Sequence, residues 1–126
     1  EEMKMSWETK KIMGDDTILV NPTAVRVPVF FGHGEAIHIE TRQPIDAEEV
    51  KQLLANAPGV KVYGTREEFP TQVSSASGND EVHVGRIRND ITHPNGINMW
   101  VVSDNIRKGA ATNSVQIAEV LIRDYL

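Results

Sequence analysis

The amino-acid sequence predicts an α+β domain with a mostly antiparallel mixed sheet and helices packed on one face. Segments with apolar residues three and four positions apart, which is helical spacing, lie at the start, near the middle and at the end. Shorter segments of alternating or continuously apolar residues, typical of strands, lie between them. The links between consecutive strands are short, which favours antiparallel pairing because a parallel pair needs a long crossover. A single domain, residues 1–126, accounts for the whole chain.

The composition is that of a globular protein and argues against several classes of partner. Hydrophobic residues make up 40% of the chain and charged residues 25%. The net charge of -5 and the lack of a basic patch interleaved with aromatic residues argue against nucleic acid. No apolar run approaches the ~20 residues that span a bilayer, so we expect no membrane partner. The absence of Cys excludes a disulfide framework and a thiolate metal site within this sequence.

Three helices are predicted along the chain. The first starts at the first residue and stops at Gly14. The second starts at Asp46, an N-cap residue with the acidic Glu49 at the third helical position, which is a capping-box pattern. The third runs from about Ala110 to the end and carries an apolar stripe on one face. That stripe consists of Val115, Ala118, Leu121, Ile122 and Tyr125.

The first group of predicted strands lies at residues 18–20, 24–31 and 36–41. Apolar residues alternate with other residues in the second and third of these segments, as on a half-buried strand. Pro28 cannot donate a hydrogen bond to a ladder, so the second strand should lie at a sheet edge or carry a bulge. The two isoleucines of the third strand are expected to point toward the core.

The second group of predicted strands lies at residues 60–63, 81–88 and 97–102. Gly85 interrupts the alternation of residues 81–88 and predicts a β-bulge. Residues 97–102 are apolar on both faces, as expected for a central strand. The segment 70–80, rich in Ser, Thr, Gly and Asn, is predicted to form a long loop.

An Arg and a His on the 24–31 strand and the turn after it form the most informative motif. Arg26 precedes His33, which lies between Gly32 and Gly34. An Arg can hold a carboxylate through two parallel N–H bonds, and a His can move a proton near neutral pH. The chain has no Cys, and no Ser carries a recognisable nucleophile motif. The motif therefore predicts half of an active site.

The remaining histidines and the two tryptophans have simpler interpretations. His38, His83 and His93 show no metal-ligand spacing, so we predict surface histidines and no metal site. Trp7 and Trp100 are predicted to be core or interface anchors rather than ligand platforms.

The sequence begins with Glu1 rather than Met, and it begins inside a helical pattern. A natural N-terminus rarely starts within a patterned helix. We therefore expect the chain to be a piece of a longer protein, or a domain expressed alone.

Three motifs together resemble a known family. They are Glu1 to Lys4 on the first helix, Arg26 to His33, and the segment 98–111. Their order and spacing are similar to those of the C-terminal catalytic and dimerisation domain of the aspartate-β-semialdehyde dehydrogenases, over essentially the whole chain. The resemblance implies the fold of the glyceraldehyde-3-phosphate dehydrogenase C-terminal domain, a homodimer and a cytoplasmic location.

The resemblance also implies an activity. Members of the family reduce β-aspartyl phosphate to aspartate semialdehyde with NADPH, in the biosynthesis of lysine, threonine and methionine (the diaminopimelate route included). NADP is bound mainly by an N-terminal Rossmann domain that also carries the nucleophilic Cys, and this sequence contains neither. The parent is therefore expected to be an NADP-dependent aspartate-semialdehyde dehydrogenase, and this chain alone is expected to be inactive.

The resemblance implies roles for five residues. His33 corresponds to the general acid/base that serves the Cys. Arg26 corresponds to the residue that binds the α-carboxylate of the substrate, Lys4 to one that binds its phosphate, and Glu1 to one that binds its amino group. Asn113, at the start of the last helix, is expected to face the cofactor domain.

Two other functions remain open at this point. One is a non-catalytic dimerisation module of a paralogue, although a structural protein has no need for the pair of Arg26 and His33. The other is a related dehydrogenase that acts on another acyl phosphate, such as N-acetyl-glutamyl phosphate. For the single residues, Glu1 and Lys4 could form a surface ion pair on a helix, and His33 could be a turn residue bonded to backbone.

Overall fold

The structure is a computed structural model that describes residues 1–65 and 67–126. In chain order it contains helix α1 (Glu2–Met13), strand β1 (His33–Glu40), helix α2 (Ala47–Ala55), strands β2 (Val60–Val62), β3 (Val82–Asn89) and β4 (Gly96–Ser103), and helix α3 (Thr112–Tyr125). Two short π-helical segments, Gln72–Ala76 and Arg107–Ala111, lie between these elements. None of the described helices has the length and apolar character needed to cross a membrane.

The strands form a four-stranded sheet in the order β1-β4-β3-β2. Strand β4 pairs antiparallel with both β1 and β3, whereas β2 pairs parallel with β3. The predicted α+β class with a mostly antiparallel mixed sheet is therefore confirmed, and so is the central position of residues 97–102. Ile97 and Val102 of this strand are each 1% exposed.

Helix α2 covers one face of the sheet and closes the core. Ala47 packs there with four apolar residues of β3 and β4, namely Val84, Ile87, Ile97 and Met99. The predicted N-cap is confirmed, because the Asp46 carboxylate accepts the Glu48 N–H at 2.8 Å. The side chain of Asn89, at the end of β3, accepts the Ala47 N–H at 2.8 Å and donates to Asp46 at 3.1 Å. These bonds fix the start of α2 on the sheet.

The predicted bulge in β3 is also present. The register of β3 against β4 shifts between Gly85 and Arg88. Within this interval Arg86 has a φ of 55°, in the left-handed region that L-residues rarely occupy. The bulge therefore turns one residue of the strand out of the regular alternation.

Two of the predicted strands are wrong. Residues 18–20 and 24–31 form no ladder within the described part of the chain, and the side chains of Val25 and Val27 are 74% and 53% exposed. An alternating segment becomes a strand only where a neighbour supplies hydrogen bonds. Neither segment pairs with β1 or β2, the two edge strands of the described sheet. Strand β1 starts at His33, earlier than predicted, and its Ile39 is 41% exposed rather than inward.

The predicted loop at 70–80 contains ordered structure. Its π-helical segment starts after Thr71, whose hydroxyl oxygen accepts the Ser74 N–H at 2.9 Å. Trp100 of β4 fixes this loop to the sheet, because its Nε1 donates to the Pro70 carbonyl at 2.8 Å. The polar segment is therefore ordered by a local contact, the cap from Thr71, and by a long-range contact, the bond from Trp100.

Helix α3 starts at Thr112, close to the predicted start, and its apolar stripe is exposed. The exposed fractions of Val115, Leu121, Ile122 and Tyr125 range from 49% to 76%. Among the described elements, α3 contacts mainly the preceding segment Arg107–Ala111. Of the three helices, α2 is thus the one that packs on the sheet.

The core predicts a contrast between two isoleucines. Ile97→Ala should lower the free energy of unfolding of this chain by about 2–5 kcal/mol, because it removes a buried side chain and leaves a cavity. Ile91→Ala is the matched control, because Ile91 is 100% exposed, and surface substitutions usually change stability by less than about 0.5 kcal/mol. Urea unfolding followed by circular dichroism measures both. Equal effects of the two substitutions would contradict the assignment of the core.

Candidate functional site

His33 is the first residue of β1, at the edge of the described sheet. It lies opposite Ser103, the last residue of β4. Since side chains alternate along a strand, His33 lies on the same face as Ile37, which packs against the core. The imidazole itself is exposed. His33 therefore stands at the rim of the ordered sheet, where a group from another segment can reach it.

The glycines on both sides of His33 allow close packing by neighbouring residues. Gly32 has a φ of 96°, and a Cβ there would lie 3.0 Å from Cβ of Gln72. A Cβ on Gly34 would lie 2.7 Å from Cη2 of Trp100 and would also collide with the amide of Gln72. The backbone around His33 is thus pressed against the ordered 70–80 loop, and both glycines are required for that approach.

A long-range hydrogen bond holds the turn before His33. The Gly32 N–H donates to Oδ1 of Asn105 at 2.8 Å. Asn105 lies two residues beyond the end of β4 and is half-buried. The bond therefore connects the start of β1 to the turn that follows the central strand.

That turn is organised by a buried carboxylate. Asp104 is 4% exposed and accepts N–H groups from Gly78 at 2.9 Å, Ile106 at 2.8 Å and Arg107 at 3.0 Å. These bonds hold the pKa of Asp104 below its ordinary value, because N–H donors favour the charged form. The bond from Gly78 has the largest effect. Asp104 thus fixes both the turn after β4 and the end of the 70–80 loop.

An ion pair continues this network to α3. The Arg107 guanidinium donates to both oxygens of Asp80, at 2.7 and 2.9 Å, and the Thr112 hydroxyl donates to Asp80 at 2.9 Å. Arg107 lowers the pKa of Asp80, more than Thr112 does. The two-pronged geometry orients Arg107, although an exposed ion pair adds little stability.

Arg26 lies in the irregular segment before β1, and its side chain is exposed. Within the described residues, no hydrogen bond or ion pair joins it to His33. The segment is nevertheless held at its start, because the Ala24 N–H donates to the carboxylate of Glu2 at 3.0 Å. That bond lowers the pKa of Glu2. It brings the residues just before Arg26 against helix α1.

Glu1 and Lys4 lie at the start of α1. Lys4 Nζ is 3.9 Å from Oε1 of Glu8, one helical turn along, and both side chains are largely exposed. Lys4 thus pairs with Glu8, whereas the alternative to substrate binding was a surface pair with Glu1. Glu1 is the residue before α1, and its carbonyl accepts the Met5 N–H at 3.0 Å. Through Glu2, the structure brings this end of α1 close to the segment that carries Arg26.

Asn113 lies in the first turn of α3 and is half-buried. The neighbouring Gln116 accepts a hydrogen bond from Lys108 Nζ at 2.8 Å. The contacts of the described residues do not join Asn113 to His33, but both belong to segments that the Asp104 network orders.

The other histidines lie outside this site. His38 is at the surface as predicted, and its Nδ1 lies 3.2 Å from Asp90, while Glu40, above all, raises its pKa. The prediction of a surface position is wrong for His83, which is 2% exposed, because its ring packs beside Tyr63 with Nδ1 3.2 Å from the phenol oxygen. Burial lowers the pKa of His83. Within residues 1–65 and 67–126, no group of three or more metal-ligating side chains is assembled.

Sequence reasoning assigned no separate role to Asp104 and Asn105, although both lie in the motif 98–111. A local signal was present, since Asp side chains often accept backbone N–H groups two and three residues later in a turn, as Asp104 does here. No local pattern could show that Asn105 reaches Gly32, which lies 73 positions earlier in the chain.

Comparison with known proteins places this geometry in context. The family model of the semialdehyde dehydrogenase dimerisation domain matches residues 1–108. Aspartate-semialdehyde dehydrogenase of Shewanella sp. (strain DB6705) is 70% identical over 125 residues, which cover 99% of this chain and 37% of that protein. Aspartate-semialdehyde dehydrogenase 2 of Vibrio cholerae is 63% identical, with the same coverage of both chains.

Solved structures of enzymes with the same name are also similar to this chain. The chain superposes on aspartate semialdehyde dehydrogenase II of Vibrio cholerae, complexed with ASA, with a TM-score of 0.94 and 63% identity over 99% of this chain and 37% of that one. The aspartate semialdehyde dehydrogenase of Francisella tularensis gives a TM-score of 0.84 at 27% identity, over 95% of this chain and 34% of that one. The chain thus spans little more than a third of the length of these relatives.

The buried carboxylate predicts a pH-dependent contribution to stability. Asp104→Asn should lower the free energy of unfolding of this chain by about 1–3 kcal/mol near neutral pH, because the amide cannot accept the N–H groups at both of its ends. The folded pKa is depressed, so the stabilisation is fully present above the ordinary pKa of about 3.9 and is lost as the pH falls below it. The difference between wild type and variant should therefore shrink below about pH 4.

Urea unfolding of both proteins at a series of pH values measures that difference. Asp16→Asn, at an exposed position, is the control and should unfold like the wild type. A difference for Asp104→Asn that stays constant down to the acid transition would contradict the role of the ionised carboxylate.

Proposed function

Because the chain belongs to the semialdehyde dehydrogenase family, through the dimerisation domain of that family, we propose that it is the substrate-binding and dimerisation part of an aspartate-semialdehyde dehydrogenase. The intact protein reduces β-aspartyl phosphate to aspartate semialdehyde with NADPH and releases phosphate. The observation that carries the proposal is the similarity, at 63% identity and a TM-score of 0.94, to a Vibrio cholerae enzyme of that name complexed with ASA.

His33 acts in this proposal as the general acid/base. The chain contains no Cys, so the thiol that attacks the acyl phosphate comes from the rest of the protein. A thiolate is the competent nucleophile, and a nearby imidazole can accept the thiol proton. The exposed position of His33 at the start of β1 suits this role, because the imidazole is open to a residue supplied from outside the sheet.

Arg26, Lys4 and Glu1 bind the two ends of the substrate. Arg26 holds the α-carboxylate through its two-pronged guanidinium, and Lys4 attracts the phosphate as a point charge. The bond between Glu2 and Ala24 supports this arrangement, since it brings the helix of Lys4 next to the segment of Arg26. Lys4 is available, because its long, exposed contact with Glu8 is a weak one. Glu1 pairs with the substrate amino group.

NADP is held mainly by the part of the parent that lies outside this chain. When bound, the reduced cofactor supplies the hydride. No Gly-rich turn between a strand and a helix occurs in the sequence, so this chain lacks the usual pyrophosphate-binding element. Asn113 fits a smaller role, because its half-buried amide lies in the first turn of α3 and can position a polar group of the neighbouring domain. The enzyme is cytoplasmic in this proposal.

The biological unit in this proposal is a homodimer. Large apolar side chains are exposed in α1, in the segment before β1, in the 70–80 loop and in α3, including Trp7, Phe30, Phe31 and Val73. Exposed apolar area of this extent typically marks a surface that another protein segment covers. A second copy and the remainder of the parent chain are the partners that cover it.

The central test concerns His33 in the intact parent enzyme. His33→Asn keeps the size and one hydrogen bond of the side chain but cannot accept a proton near neutral pH. Loss of general acid/base assistance typically costs ~10²–10⁴-fold, so kcat should fall by about that factor while substrate binding changes little. Raising the pH should restore part of the rate, because the thiol then ionises without assistance. Retention of most of the activity would make His33 a structural turn residue.

A second substitution separates binding from proton transfer. Arg26→Lys retains the charge but loses the two-pronged geometry, so KM for β-aspartyl phosphate should rise and kcat/KM should fall. Steady-state kinetics of the parent measure both constants, and the His33→Asn variant supplies the contrast of an effect on kcat. Unchanged kinetics would show that Arg26 does not hold the carboxylate.

The exposed apolar surface predicts association of the isolated chain. Sedimentation equilibrium should show a species heavier than the 14.0 kDa monomer as the concentration rises. A strict monomer at high concentration would count against the dimerisation role.

A further inference from the structure

We propose that Asn105 is a positioning residue for His33 and acts through the backbone of Gly32. The inference rests on the proposed function, because it concerns the imidazole that serves there as general acid/base. The Gly32 N–H donates to Asn105 Oδ1 at 2.8 Å, and Gly32 directly precedes His33. The bond joins residues 73 positions apart, so it is a tertiary contact and not a local turn.

The bond replaces a rung that the sheet does not supply. The ladder between β1 and β4 ends at the pair of His33 and Ser103. The next pair would bring Gly32 opposite Asp104, but the backbone carbonyl of Asp104 accepts the Gly109 N–H at 3.1 Å instead. The side-chain carbonyl of Asn105 accepts the Gly32 N–H that would otherwise be left at the end of the ladder.

Asn105 is itself held in a defined position. It lies between Asp104, which is buried, and Ile106, whose N–H donates to that carboxylate at 2.8 Å. The Gly109 N–H donates to the Asp104 carbonyl at 3.1 Å, which closes the same turn from the other side. The position of Asn105 is therefore set by bonds in which its own side chain takes no part.

The orientation of His33 depends on the bond between Gly32 and Asn105, because only the backbone of this segment orients the imidazole within the described residues. Within the described residues, the imidazole makes no hydrogen bond. Gly32 has a φ of 96° and precedes the first paired residue, so without its anchor the segment before β1 can turn at a flexible glycine. A general base must be held within hydrogen-bond reach of its proton, and small displacements reduce the rate strongly.

Arg26 has an anchor of its own, which separates its behaviour from that of His33. The Glu2 carboxylate holds the Ala24 N–H at 3.0 Å, two residues before Arg26. Loss of the Asn105 bond should therefore disturb His33 more than the carboxylate-binding residue. The expected kinetic signature is a lower kcat with little change in KM.

The test uses three variants of the intact parent enzyme, numbered as in this chain. Asn105→Leu keeps the approximate size of the side chain but removes the acceptor, and kcat should fall about tenfold with KM within about twofold of wild type. Asn105→Asp keeps an acceptor oxygen and should retain kcat within about threefold. Asn56→Leu is the matched control, since it makes the same substitution at the end of α2, where, among the described residues, the Asn56 amide bonds only to the Gln52 carbonyl of its own helix. The kinetics of this variant should equal those of the wild type.

A double-mutant cycle distinguishes positioning from general destabilisation. In the His33→Asn background, Asn105→Leu should change kcat by less than about twofold, because the group that Asn105 positions is already gone. A tenfold loss in both backgrounds, or wild-type kinetics for Asn105→Leu, would overturn the proposal. If Asn105→Leu does not accumulate as folded protein, Asn105→Ala removes the acceptor without adding bulk and answers the same question.

The same measurements separate this proposal from the function on which it rests. An inactive wild-type parent refutes the proposed function, whereas full activity of His33→Asn refutes only the general acid/base role of His33; either result also removes the positioning role. An active parent that depends on His33 but not on Asn105 refutes the positioning role alone. The result that supports both is a loss of kcat in Asn105→Leu, recovery in Asn105→Asp and no further loss in the double variant.

Discussion

The carboxylate of Asp104 is the interaction on which the arrangement of the site depends. It lies immediately after the central strand, and the N–H groups that it accepts come from two different parts of the chain, Gly78 and the turn that contains Ile106. A carboxylate with both oxygens occupied by N–H donors can be buried without a cation, because those donors replace the lost water. Asp104 therefore connects the 70–80 loop to the end of β4.

The order set by Asp104 extends in two directions. Toward the sheet edge, Asn105 holds Gly32 and the start of β1. Toward the C-terminus, Arg107 pairs with Asp80, and the same carboxylate accepts the hydroxyl of Thr112 at the start of α3. The exposed ion pair contributes orientation more than stability. The buried Asp104 thus orders the segments that hold both His33 and the start of α3.

The sequence predicted the parts of the fold that depend on local chemistry and on strong periodicity. The Asp46 cap, the Gly85 bulge and the central strand all follow from residue types within a few positions. Residues 24–31 alternate as a strand does, but no strand of the described sheet pairs with them, and alternation alone does not show whether a segment finds a partner. The burial of His83 was equally hidden, because it depends on packing beside Tyr63, which lies 20 positions earlier in the chain.

The site shows the same division between local and long-range information. The residue types of Arg26 and His33 indicate chemistry, and the family resemblance indicates which chemistry, but neither indicates what holds the residues in place. His33 lies at the first rung of an edge strand, where ladder bonds on one side are absent and a strand is most easily displaced. A catalytic group at such a position gains access to a partner segment, yet it needs support from elsewhere. The structure supplies that support from the end of the central strand, through a turn whose geometry the buried carboxylate of Asp104 fixes.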